Sequence, residues 1–136
     1  MKRLRWVLAV ILAAAGCRAE SGGASKLRRE FAQYCAGMAA ELDLAVAALR
    51  RGQVRAVPYG QLDSDTPTVL YSRFSFCARP RTRAATDLEV AFHEASGQLA
   101  TDLESLDTNE GRERAAATMT KLSVLVRELE AIPLAR

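Results

Sequence analysis

The side chains of this 136-residue chain that could bind metal or carry redox or nucleophilic chemistry are few: Cys17, Cys35, Cys77, the sole histidine His93, and Met38. The cysteines form no C-x-x-C pair, and one histidine cannot complete a zinc site of the usual four nitrogen and sulfur ligands. A haem-attaching C-x-x-C-H is absent as well. As a general base, His93 would need a nucleophile or a substrate proton within hydrogen-bond reach, and nothing in the spacing of the serines supplies one. Met38 and His93 could still meet in a gap between helices as weak ligands of a small molecule or metal. Asp63-Ser64-Asp65 lacks the glycine and distal glutamate of a calcium loop and reads as helix capping. No phosphate-binding glycine loop or internal repeat occurs. The chain is therefore expected to be no enzyme and to hold no cofactor.

The elements that would position these residues begin with a leader. Lys2, Arg3 and Arg5 precede the apolar run Trp6 to Ala15, which ends in Gly16 and Cys17. A run of about ten apolar residues is too short to cross a hydrocarbon core, which takes about twenty in a helix. It has the form of an export signal. Met1 to Cys17 resembles the signal peptide and lipobox of a bacterial lipoprotein. Ala15 and Gly16 fit that pattern, while Ala14 stands where the family prefers leucine.

The resemblance implies that residues 1–16 are removed, that Cys17 is diacylated on sulfur, and that its new amino group is often acylated too. Residues 17–25 would then be a lipidated cysteine and a flexible linker, with the membrane as a partner. Two or three acyl chains hold where a single one binds only marginally. Arg18 follows the cysteine in place of the aspartate that retains some lipoproteins in an inner membrane, which implies an outer membrane where the envelope has one. The resemblance covers the leader alone. Ordinary cleavage after Ala15 or Ala19 is the competing pattern, and it would leave no tether.

With Cys17 taken by lipid, Cys35 and Cys77 remain, and in an oxidising compartment the pair is expected to form one disulfide. Loss of Lys2, Arg3 and Arg5 with the leader leaves sixteen basic residues against sixteen acidic. The pI near 9.0 of the whole chain thus gives no support to nucleic-acid binding, which needs a basic patch that survives processing. Residues 18–83 carry eleven basic and six acidic groups, and residues 84–136 five and ten. Two halves of opposite sign are expected to attract each other within one domain.

The periodicity predicts an all-α fold. Leu27, Phe31, Tyr34, Met38, Leu42, Ala45 and Leu49 recur at helical steps, predicting a long helix from about Lys26 to Arg51 that Gly52 stops. Residues 53–66 are irregular. Thr66-Pro67 starts a short helix over 68–78, although Leu70, Phe74 and Phe76 also suit a strand. Leu88, Phe92, Ala95, Leu99, Leu103 and Leu106 predict a second long helix from Arg81, packed against the first. A connection over 107–111, with Asp107 and Glu110 as a capping box, leads to a third with Ala115, Met119, Leu122, Val126 and Leu129 inward, ended by Pro133. The expected architecture is an antiparallel helical bundle over 26–133, with three long helices, one short irregular helix and one disulfide. Its expected role is a non-enzymatic interaction or structural module in the cell envelope, meeting an envelope protein partner. The alternative is a small-ligand or metal carrier in the periplasm or at the cell surface, using Met38 and His93.

Overall fold

A computed structural model of the chain describes residues 35–135. The leader, Cys17, the linker and the part of the first expected helix before Cys35 lie outside the described residues. The described chain is mostly helical: α1 (Met38–Arg50), α2 (Thr66–Ala78), α3 (Thr86–Asp102) and α4 (Asn109–Glu130). Two two-residue strands, β1 (Arg55–Ala56) and β2 (Gly60–Gln61), pair antiparallel with Arg55 opposite Gln61. They occupy the segment expected to be irregular.

The helix expected to run unbroken from Lys26 to Arg51 is interrupted. Gly37 has φ +83, a left-handed conformation that a right-handed helix cannot contain and that glycine adopts without a Cβ penalty. Helix α1 begins immediately after it. Its end is the one expected: Gly52, also at φ +83, donates to Leu49 O (2.9 Å) and Gln53 donates to Ala48 O (2.9 Å). These two bonds are the Schellman pattern, which satisfies the last carbonyls.

Segment 68–78 is helix and not strand. Leu70, Phe74 and Cys77, at helical spacing, are buried, while Phe76 on the alternating pattern is only half-buried. At 13 residues α2 equals the length of α1 and is regular, so the contrast between long helices and one short irregular one does not hold for this pair. Pro67 lies in its first turn, where its missing N–H is not needed. The Asp63-Ser64-Asp65 loop folds as a turn ahead of α2, in which Asp63 Oδ1 accepts from Asp65 N (2.9 Å) and Thr66 Oγ1 accepts from Asp63 N (3.1 Å), while Asp65 at the N-cap makes no side-chain capping bond.

Helix α3 starts later than expected because residues 80–82 pair with the C-terminal segment. Thr82 N donates to Pro133 O (2.8 Å), and Ala135 N donates to Pro80 O (2.7 Å), around a bridge between Arg81 and Leu134. Backbone groups held this way cannot serve a helix. A 3-10 turn over Leu103–Ser105 closes α3. Helix α4 begins at Asn109, ahead of the expected start. Its cap is Thr108, whose Oγ1 accepts from Gly111 N (2.9 Å), and not the Asp107–Glu110 box.

Helix α4 is central, with α1 and α3 both packed along it and α2 packed on α3. The direct pairing expected between the first helix and α3 is thus replaced by two separate contacts with α4. Small buried residues on α4, Ala115, Ala116, Thr118 and Ser123, let neighbours approach from two sides. Met38, Leu42, Ala45 and Leu49 of α1 meet Met119, Leu122, Val126 and Leu129 of α4 in one core with Leu70, Phe74, Phe92 and Leu99. The Phe74 and Phe92 rings stack at 4.2 Å. Contacts across neighbouring helices run in opposite order. Asp43 meets Arg127 and Arg50 meets Glu113 between α1 and α4, and Tyr71 meets His93 and Phe74 meets Phe92 between α2 and α3.

Candidate functional site

Cys35 and Cys77 form a disulfide with Cα atoms 5.7 Å apart. Both are buried, so the bridge ties the residues just before α1 to the last turn of α2 from inside the core. Directly after it, Arg81 fastens the C-terminal segment: its Nε donates to Cys77 O (3.1 Å) and its Nη1 to Ile132 O (3.0 Å). Partial burial lowers the pKa of Arg81, while Glu130 acts in the opposite direction. An arginine so placed remains cationic at neutral pH.

The candidate ligands Met38 and His93 have opposite environments. Met38 is fully buried in the core, whereas His93 is exposed on α3 with its ring edge-on to Tyr71 at 4.9 Å. Among the described residues, no group of three or more His, Cys, Asp or Glu side chains is placed to hold a metal ion. The described cavity lies elsewhere. It is a groove of about 380 Å³ between α3 and α4, lined by Ala91, Ala95, Thr120, Lys121, Val124 and Leu125. Its lining is apolar apart from Thr120 and Lys121, so it offers area and little directional bonding.

Two polar clusters cross the helix contacts. In the first, Ser123 Oγ lies 2.8 Å from Asp43 Oδ1 and 3.2 Å from Ala39 O, and accepts from Arg127 Nη1 (2.8 Å). Arg127 also pairs with Asp43. The hydrogen bond from Arg127 is the main reason the Asp43 carboxyl titrates below its ordinary range, with burial opposing and Ser123 assisting. In the second, the buried Asp102 carboxyl accepts from Thr118 Oγ1 (2.6 Å) and Gln98 Nε2 (2.9 Å). Each cluster uses its hydrogen-bonding groups to join α4 to a neighbour, which is what buried polar groups require. Chemically they are clamps. Ser123 is fully buried and its partners are a carboxylate, a guanidinium and the Ala39 carbonyl.

The ion pairs give mixed support to attraction between oppositely charged halves. Arg50 pairs with Glu113 in that sense, but Arg127 with Asp43 reverses it and Arg73 with Glu41 lies within the first half. Sequence reasoning missed Asp102, Ser123 and the Asp43–Arg127 pair. A usable signal existed for Ser123, which falls on the same α4 face as Met119 and Val126 and so had to be buried with a partner. No family model, no curated protein and no solved structure matches the chain.

Proposed function

We propose that the protein is a bacterial lipoprotein, anchored through acylated Cys17, whose antiparallel helical bundle is a non-enzymatic interaction or structural module in the cell envelope. The observation that carries the reading is the leader, Lys2-Arg3 to Cys17, a charged start, a short apolar run and a small-residue approach to cysteine. The Cys35–Cys77 disulfide supports it independently of the leader, because such bridges persist in oxidising compartments. The polar clusters support a structural role in another way, since Asp43, Ser123, Arg127, Asp102 and Thr118 bond to one another across helix contacts. The linker after Cys17 keeps the bundle near the bilayer, within reach of an envelope protein partner.

The test is the intact mass of the mature protein extracted from its native membrane, before and after reduction. A chain of Cys17 to Arg136 carrying acyl groups, with two thiols appearing only on reduction, is expected. An unacylated chain starting after Ala15 or Ala19 overturns the anchor.

A further inference from the structure

Helix α4 and its C-cap residue carry a second stripe on the side away from the core: Ala117, Lys121, Val124, Glu128 and, at the C-cap, Ala131, at steps of four, three, four and three. All five are exposed, Val124 at 48%. This is the spacing of a helix–helix seam, and it is not the seam used within the chain. Beside it lies the apolar groove, which shares Lys121 and Val124 and adds Leu125, Ala91 and Ala95. Val90 on the neighbouring α3 is also exposed, at 53%. Lys121 and Glu128 form no ion pair with another described residue.

The order of the stripe identifies what fits it. Read backwards it is Ala, Glu, Val, Lys, Ala: the alanines and the valine map onto themselves, and the lysine maps onto the glutamate. We infer that α4 pairs through this stripe with α4 of a second copy of the chain, antiparallel about a two-fold axis at Val124. Ala117 then faces the partner's Ala131, the two Val124 side chains meet at the axis, and Lys121, three residues before the axis, lies one helical rise of about 1.5 Å from the level of the partner's Glu128, four residues after it, an offset its long side chain spans. A two-fold interface must be self-complementary in this way. A parallel arrangement would set Lys121 against the partner's Lys121, so the charges select the antiparallel one. The alanines allow close approach at both ends, opposed helix dipoles favour the arrangement, and the groove beside the seam adds apolar area. This gives the interaction-module reading its partner and rests on that reading only for its biological role. The lipid anchor does not enter it.

The mature protein, purified from its native source, is followed by sedimentation velocity at rising concentration and by zero-length carbodiimide coupling. A monomer–dimer equilibrium is expected, weakening with salt, with a covalent dimer in which Lys121 of one copy is joined to Glu128 of the other. The doubled mass of the coupled species shows that the bond joins two copies and does not lie within one. Lys121→Glu and Glu128→Lys each convert two attractive pairs into repulsive ones and are expected to raise the dimer dissociation constant roughly tenfold or more. The double variant Lys121→Glu/Glu128→Lys restores it. A protein that stays monomeric up to roughly 1 mM, a dimer indifferent to the single reversals, or a double variant that fails to recover overturns the inference. Should a reversal disturb folding, the cross-link map of the unaltered protein decides. The intact mass decides the anchor separately, so either reading can fail alone.

Discussion

Replacing Gly111 by alanine sets two ordinary expectations against each other. In the first turn of a helix, glycine to alanine normally stabilises by up to about 1 kcal/mol through backbone entropy and propensity. Here a Cβ on residue 111 would lie 1.7 Å from Ser105 O, 2.5 Å from its carbonyl carbon and 2.9 Å from its Cβ. The nearest approach falls about 1.3 Å inside the 3.0 Å that real Cβ contacts respect, and the two nearest opposing atoms are backbone. The same Ser105 carbonyl accepts from Thr108 N and Thr108 Oγ1, and that hydroxyl caps α4 through Gly111 N. Separating residue 111 from Ser105 therefore loosens the cap as well. Overpacking of about 1–3 kcal/mol plus about 1 kcal/mol for the cap, less a propensity gain of up to about 1 kcal/mol, leaves Gly111→Ala destabilising by about 1–3 kcal/mol. For a domain of this size that lowers Tm by about 5–20 °C. The comparison is Gly97→Ala in the middle of α3, where an added Cβ meets nothing within 4 Å and about 0.5–1 kcal/mol of stabilisation is expected. Thermal and urea unfolding followed by circular dichroism measure both. A Gly111→Ala protein as stable as the parent would refute the reasoning.

Three further outcomes are expected. Opening the Cys35–Cys77 bridge, whose cysteines are 42 residues apart, by reduction or by Cys35→Ala/Cys77→Ala lowers unfolding stability by up to about 4 kcal/mol on the loop-entropy scale, read as a lower urea midpoint. Thr118→Val takes one donor from the buried Asp102 carboxyl and costs about 1–3 kcal/mol, whereas Thr120→Val on the exposed side of α4 is near neutral. Asp43 titrates below its unfolded value of 3.8, so its contribution is present above that value and is lost as pH falls through the folded one. Its side chain is 46% exposed, so the effect stays under about 1 kcal/mol. Urea midpoints of Asp43→Asn and the parent should converge as pH drops, and a constant gap would count against the Arg127 contact as its source.

Periodicity carried much of the fold. Met38, Leu42, Ala45 and Leu49, and Ala115, Met119, Leu122, Val126 and Leu129, line up as buried stripes because a helix repeats every 3.6 residues whatever it packs against. Gly52 and the Thr66-Pro67 start were legible because helix ends impose local backbone demands that few residues meet. Gly37 has the same chemistry as Gly52, yet it interrupts an apolar pattern that continues across it, so only its φ of +83 exposes the break. The late start of α3 was not legible either. Residues 80–82 are held by residues more than fifty positions away, a pairing with no local signature. Of the two candidate ligands, Met38 is core and His93 is an exposed residue against Tyr71.

By itself the sequence determined the helical class and the inward stripes, because each depends on local spacing. Tertiary structure alone decided which helix is central, which polar groups became clamps between helices, and which stripe of α4 was left outside. An amphipathic helix specifies only the face it must bury. Which neighbour buries it depends on how closely backbones approach, and here the small residues Ala115, Ala116, Thr118 and Ser123 of α4 admit α1 and α3 on two sides.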